Sequence, residues 1–238
     1  MRENSVGHQF KVNENNFISD LLKGFRAAPK SSFAGKLITI SYKGKTYSPV
    51  SILPFLTDFL LNNETLVKIK QTGFIVFNKF KTSEATLEEI EILGKIIAYA
   101  LLNNENINVC LHPSLVAAVS FNICHIDYLL DVNFKIWEEL KGILSIGDSS
   151  TLKLNFSYNF ESLETLKEER IELVDKGASK KVNNQNREEF CDLVCCYILY
   201  EQIKPQITRL LESIICIIPK EYISTKSTRS ILGLFYEG

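Results

Sequence analysis

The segment from Thr86 to Leu101 constrains this chain most. Leu87, Ile90, Leu93, Ile97, Ala100 and Leu101 recur at helical spacing. Thr86-Leu87-Glu88-Glu89 reads as a capping box, in which the Thr hydroxyl and the Glu carboxylate each satisfy an orphan backbone N–H. Gly94 sits in the middle, where glycine costs about 1 kcal/mol relative to alanine. A glycine kept there marks the close approach of another backbone, so the fold is built around a helix pressed against a second element. Asn103-Asn104 ends this helix.

Around it the sequence alternates helices with short strands. Phe17, Ile18, Leu21, Leu22 and Phe25 predict a short amphipathic helix ending near Ala28-Pro29. Leu37 to Tyr42 reads as a strand that turns at Lys43-Gly44-Lys45. Pro49 and Pro54 bracket the start of an apolar helix that stops at Asn62-Asn63, and Thr72-Gly73 marks a hairpin between Val67–Lys70 and Phe74–Asn78. Farther on, Ile136, Leu140 and Ile143 form one stripe of a helix over about Asn133–Leu144, with Trp137 and Leu144 on the adjoining one. That arc is wider than a surface helix needs, so part of it is offered to something else.

The strictest period of two follows. Leu152, Leu154, Phe156, Tyr158 and Phe160 alternate with Lys153, Asn155, Ser157 and Asn159. Ile171–Val174 is the expected return strand, with the charged residues 161–170 as its loop. Asn186 and Glu189 are set to cap a helix running to about Tyr200, and Pro205 opens or kinks the next. The expected class is α+β and mainly helical: a larger helical subdomain carrying small β-hairpins, and a smaller strand-plus-helix subdomain. The expected boundaries are a disordered 1–9, a large subdomain over 10–122, a small one over 123–216, and a return to the large one over 217–238.

Chemistry is bounded mainly by exclusion. With Lys+Arg 27 against Asp+Glu 28, the chain lacks the cationic surplus of a nucleic-acid binder. Residues 1–60 carry eight Lys/Arg and four Asp/Glu, a mild skew that a solvated surface explains. The apolar runs are too short to span a bilayer, and the N-terminus lacks the apolar core of a signal peptide, so no membrane partner is expected and a cytoplasmic location is, with the nucleus open. No cofactor is expected, since glycines do not cluster before a helix. Nor is a metal, because Cys110-x-His112 and Cys124-His125 lack zinc-site spacing. The cysteines read as free thiols, with Cys191 and Cys195 sharing a helix face as small core hydrophobes. Paired carboxylates such as Glu88-Glu89 and Glu188-Glu189 lie in first helical turns, where the macrodipole accounts for them. No self-contained active site is visible, which points to docking or scaffolding.

Several stretches in order resemble the N-terminal lobe of the HECT family of ubiquitin ligases. Phe10-Lys11-Val12 with Phe17-Ile18-Ser19-Asp20-Leu21 is similar to the family's opening strand and first helix. Leu93-Gly94-Lys95-Ile96-Ile97-Ala98-Tyr99-Ala100-Leu101 resembles its Leu-Gly-Lys-Leu-Ile-Gly-Leu-Ala-Leu helix, and Leu111-His112-Pro113-Ser114-Leu115 its short hydrophobic-x-Pro segment. The most specific match is Val182-Asn183-Asn184-Gln185-Asn186-Arg187-Glu188-Glu189-Phe190-Cys191-Asp192-Leu193, similar to Val-Thr-Asn-Glu-Asn-Lys-Lys-Glu-Tyr-Val-Asp-Leu.

The resemblance implies a hydrophobic groove that docks a ubiquitin-conjugating enzyme, built here from Ile136, Leu140, Ile143, Ile146, Leu152, Phe190 and Val194, with Phe190 as its expected aromatic anchor. Ubiquitin and a protein substrate would be further partners. The chain departs from the family in two ways. Lys43–Pro49 replaces an acidic, glycine-rich tract, and no cysteine stands in the Thr-Cys-Phe-like context of the catalytic thiol, so the acceptor cysteine is expected outside this chain. Two rival readings are a non-catalytic helical interaction scaffold, favoured if Ile136, Ile143 and Phe190 are buried within the chain, and a cysteine enzyme using Cys110 or Cys124 with a nearby His.

Overall fold

A computed structural model describes residues 7–120, 125–162, 167–226 and 228–236. In chain order the elements are β1 (His8–Val12), α1 (Phe17–Ala27), α2 (Lys30–Phe33), β2 (Ile38–Tyr42), β3 (Lys45–Tyr47), α3 (Leu53–Asn62), β4 (Leu66–Lys68), β5 (Ile75–Phe77), α4 (Glu84–Asn103) and α5 (Pro113–Val119). They continue through α6 (Leu129–Val132), α7 (Phe134–Ser145), β6 (Ser157–Ser162), β7 (Lys167–Glu172), α8 (Arg187–Leu199), α9 (Lys204–Ile215), α10 (Lys220–Thr225) and α11 (Thr228–Tyr236). The fold is α+β and mainly helical, as the periodicities predict. Residues 7–120 and 203–236 form one compact unit and residues 125–202 another.

The first unit is organised by α4. Thirteen of its residues are buried, so it is a core helix rather than a surface one. It begins at Glu84, two residues before Thr86. Ser83 is the N-cap, its hydroxyl accepting from the Thr86 N–H at 3.3 Å. Glu89 is therefore not the partner in a capping box. Its buried carboxylate accepts from Asn63 Nδ2 at 2.9 Å and from the Thr65 hydroxyl, tying the helix to the loop before β4. A β-carbon on Gly94 would lie 2.7 Å from Ser213 Cβ and 2.8 Å from the Leu210 carbonyl oxygen, so the second backbone foreseen from this glycine is α9. The segment expected to close the small subdomain to residue 216 thus belongs to the larger unit, because its apolar face is needed against α4.

Small sheets fill in around that helix pair. β1 runs parallel to β2, with His8 beside Ile38, and α1 crosses between them, while β3 returns antiparallel through a Lys43-Gly44 turn at φ 47° and 74°. His8 and Gln9, expected to fray, are the first two rungs of β1, held by that parallel pairing; residues 1–6 lie outside the described residues. Where α1, α4 and α9 meet, Glu91 accepts from Arg26 Nη2 at 2.6 Å and Nε at 3.0 Å, with Lys95 and Arg209 each 3.6 Å away.

Burial would push the Glu91 carboxyl up, but the Arg26 hydrogen bonds and the three cations outweigh it and hold it below its ordinary 4.5. A depressed value means that the carboxylate stabilises the fold above about pH 4.5 and that this contribution disappears as pH falls through the folded value. Glu91→Gln is expected to unfold at lower temperature than the wild type at pH 7, by about 1.5 kcal/mol of stability, with the gap narrowing in thermal scans as pH falls below the ordinary 4.5.

Candidate functional site

The second unit is a helix-and-hairpin sandwich around a small aromatic core. Asn133 caps α7 by accepting from the Ile136 N–H at 3.2 Å, which fixes the phase of the stripe foreseen from the sequence. The strand of strict alternation forms only in part. Ser149–Leu152 is a 3-10 turn whose N-cap Asp148 accepts from Ser150, and Lys153 then takes φ 52°, a left-handed conformation no strand contains. A single antiparallel bridge joins Asn155 to Lys181, and the β6–β7 ladder starts at Ser157. The return strand also begins earlier than expected, at Lys167, with Tyr158 opposite Ile171 and Phe160 opposite Glu169. Only one face of a two-stranded ribbon can pack, so charged residues read as a loop form the outer rungs of β7.

The polar links are local. Asn184 accepts from the Ser149 N–H at 2.8 Å and its hydroxyl at 2.9 Å, and donates to the Gly147 carbonyl at 3.0 Å. Arg187 Nη1 donates to the Ile146 carbonyl. Together they clip the segment after α7 to the start of α8. Asn186 does not cap α8 with its side chain; it folds back, accepting from the Asn183 N–H at 2.7 Å and donating to the Lys181 carbonyl at 3.0 Å. Glu189 pairs bidentately with Lys180 at 2.9 Å.

The seven residues implied by the resemblance fall into two groups. Leu140, Phe190 and Val194 are 0% exposed and Ile143 9%; with Phe156, Phe160, Val182 and Cys191 they constitute the core of the unit. This corrects the expectation for Phe190 above all. It is no surface anchor, because the Phe156 ring meets it edge-on at 5.7 Å and the Tyr158 ring lies 6.5 Å away. Ile136 and Ile146 are half-buried, and Leu152 is 37% exposed. Solvent thus reaches the rim of the implied groove and not its floor.

Another apolar surface of this unit carries no periodic signal in the sequence. Leu130, Val132 and Phe134 are exposed, Phe134 at 55%, and the Phe134 ring lies 5.5 Å from that of Trp137. Spaced every second residue across the end of α6 and the start of α7, they fit neither helix stripe, and a search for helical periodicity passes over them. Trp137 is oriented by donating its Nε1–H to Asp127 at 3.1 Å, while Lys141 pairs with the same carboxylate at 2.7 Å. The bond from Lys141, then that from Trp137, holds the Asp127 carboxyl below the ordinary range.

The thiols offer little nucleophilic chemistry. Burial, then the adjacent Asp192 charge, pushes Cys191 up to about 12, which keeps it protonated and inert. Cys195 is buried with Sγ facing the His125 carbonyl at 3.5 Å. Cys110 is exposed, but His112 is buried with Nδ1 2.8 Å from the Ser114 hydroxyl and accepting from the Ser114 N–H, so that ring serves as a helix cap. Cys124 lies outside the described residues. Among the described residues no three His, Cys, Asp or Glu are grouped to hold a metal ion, and no helix is long and apolar enough to cross a membrane.

Comparison with known proteins gives this geometry a context. The HECT-domain (ubiquitin-transferase) family model matches residues 55–235. Two curated relatives from Arabidopsis thaliana, the E3 ubiquitin-protein ligases UPL2 and UPL1, are each 26% identical over 144 residues, covering 58% of this chain. The chain spans 4% of the length of each.

Proposed function

Because the chain belongs to the HECT-domain family, we propose that its second unit docks a ubiquitin-conjugating enzyme in the cytoplasm on behalf of a HECT-type ubiquitin ligase. Transfer to a substrate would then use an acceptor cysteine supplied from outside this chain, since no cysteine of this sequence stands in the family's Thr-Cys-Phe-like context. The observation that carries the reading is the exposure of Leu152 and the half-exposure of Ile136 and Ile146 at positions that the resemblance assigns to the partner. Phe134 extends the same kind of surface. Apolar side chains that water reaches at a rim, around a packed floor, are what a partner can cover at little cost in reorganisation.

The test is affinity for a panel of purified conjugating enzymes. Leu152→Asp, on an exposed side chain, is expected to leave folding intact and weaken binding at least tenfold, about 1.4 kcal/mol. No binding by the wild type, or an unchanged affinity in Leu152→Asp and Ile136→Asp, would sink the reading.

The second reading, a non-catalytic interaction scaffold, is favoured by the burial of Ile143 and Phe190 within the chain. Discharge of a ubiquitin-loaded conjugating enzyme separates the two. The first reading expects discharge to accelerate when a HECT catalytic lobe is supplied together with this chain. The scaffold reading expects binding without acceleration.

A further inference from the structure

The floor of the implied groove is covered from inside the chain, and the two rings that cover Phe190 are held in different ways. Phe156 is a fixed wall. Its N–H donates to the Lys180 carbonyl at 2.9 Å, its carbonyl accepts from the Leu173 N–H at 2.9 Å, and the Lys180 ammonium stands 3.7 Å above its ring. Tyr158 is only half-buried, and its hydroxyl donates across to α7, to Glu139 Oε2 at 2.6 Å. Glu139 itself is exposed. Burial, then the Glu139 carboxylate, raises the phenol well above its ordinary value, so it remains a neutral donor wherever the protein is folded.

We propose that Tyr158 is a latch: its ring occupies the place over Phe190 that an apolar side chain of the docked conjugating enzyme would take, and Glu139 holds it there. This rests on the docking reading above. Opening is rotation of one side chain, which breaks one hydrogen bond to an exposed carboxylate and the ring contact with Phe160 at 4.8 Å. The β6–β7 ladder, which pairs Tyr158 with Ile171 through the backbone, stays intact. The observed affinity is then the intrinsic affinity multiplied by the small open fraction, and weakening the latch raises it without adding a contact. Leu140 and Val194, deep in the same core, would still not be reached; Phe190 is the residue that opening uncovers.

The test uses the full chain as wild type, Glu139→Ala and Tyr158→Ala, each first checked for cooperative thermal unfolding. Hydroxyl-radical footprinting reads exposure of Phe190, and titration with the conjugating-enzyme panel reads affinity. The expected result is a protected Phe190 in the wild type, increased labelling in both variants, and binding tightened about tenfold in Tyr158→Ala and by a smaller factor in Glu139→Ala. Phe190 that stays protected in both variants, or Tyr158→Ala binding no tighter than a wild type that does bind, overturns the latch alone. Phe190 uncovered with no binding by any of the three proteins overturns the docking reading, and the latch as a gate with it.

Discussion

Phe190→Ala is expected to lose about 4 kcal/mol of stability in the second unit. The side chain is 0% exposed and meets Phe156 edge-on, in a core that also includes Leu140, Val194, Phe160 and Cys191. Removing a whole ring leaves a cavity lined by side chains that α7, β6 and α8 already hold in place, so the site cannot collapse to fill it. Denaturant titration followed by Trp137 fluorescence reads this directly, because the only tryptophan packs against that core. A Phe190→Leu control, which keeps most of the volume, should recover more than half of the loss. If Phe190→Ala instead unfolds with a wild-type midpoint, the buried placement is wrong.

Gly94→Val is expected to cost at least 3 kcal/mol in the first unit, and Gly94→Ala about 2 kcal/mol despite the better helix propensity of alanine. Ordinarily a glycine in a helix interior is improved by alanine by about 1 kcal/mol. Here the added β-carbon meets the Leu210 carbonyl oxygen at 2.8 Å, and a backbone atom cannot rotate out of the way as a side-chain tip can. α4 and α9 must separate, loosening Ile97, Leu101 and Ile214 along the shared seam. Thermal unfolding gives the size, and Ser213→Gly in the Gly94→Ala background should recover part of it by removing the other contact, 2.7 Å from the new methyl. A neutral or stabilising Gly94→Ala would contradict the close packing of the two helices.

These two residues show how unevenly the molecule can be read from its sequence. The backbone contact at Gly94 was legible because a residue that breaks a local rule in mid-helix needs a local cause, and the cause lies one helix away. Local signals elsewhere were legible for the same reason: the Lys43-Gly44 turn and Pro205 in the first turn of α9. What was not legible depended on competition between partners. Thr86 and Glu89 have capping-box spacing, yet Ser83 starts the helix three residues sooner and Asn63 and Thr65 claim the carboxylate. Leu152 continues the period of two perfectly, but the φ of Lys153 takes it off the strand and leaves it exposed.

Burial within the second unit was the least legible feature. A stripe of Ile136, Leu140 and Ile143 wider than a surface helix needs has two physical solutions: cover by a partner, or cover by the chain itself. The sequence contains the second solution in Phe156, Tyr158 and Phe160, whose side of the ribbon faces α7 and α8. That choice becomes visible only once β6 is registered against β7 and the rings are seen to meet Phe190 and, at 4.4 Å, Tyr197. The resemblance to the HECT lobe points to residues of one unit, on α7, on α8 and in the segment after α7, and burial divides those seven side chains into a packed floor and an accessible rim. It could not say which of the seven side chains still face solvent.

The proposed docking places a ubiquitin-conjugating enzyme on the accessible rim of the second unit. Amide NMR of the deuterated 27.1 kDa chain, titrated with the tightest-binding enzyme of the panel, tests it most directly. The account predicts shifts concentrated over residues 130–158 and at Phe190 and its neighbours, fading together in Leu152→Asp. Shifts centred on β1–β3 or on the α4–α9 pair, or no saturable shift with any enzyme, would contradict it.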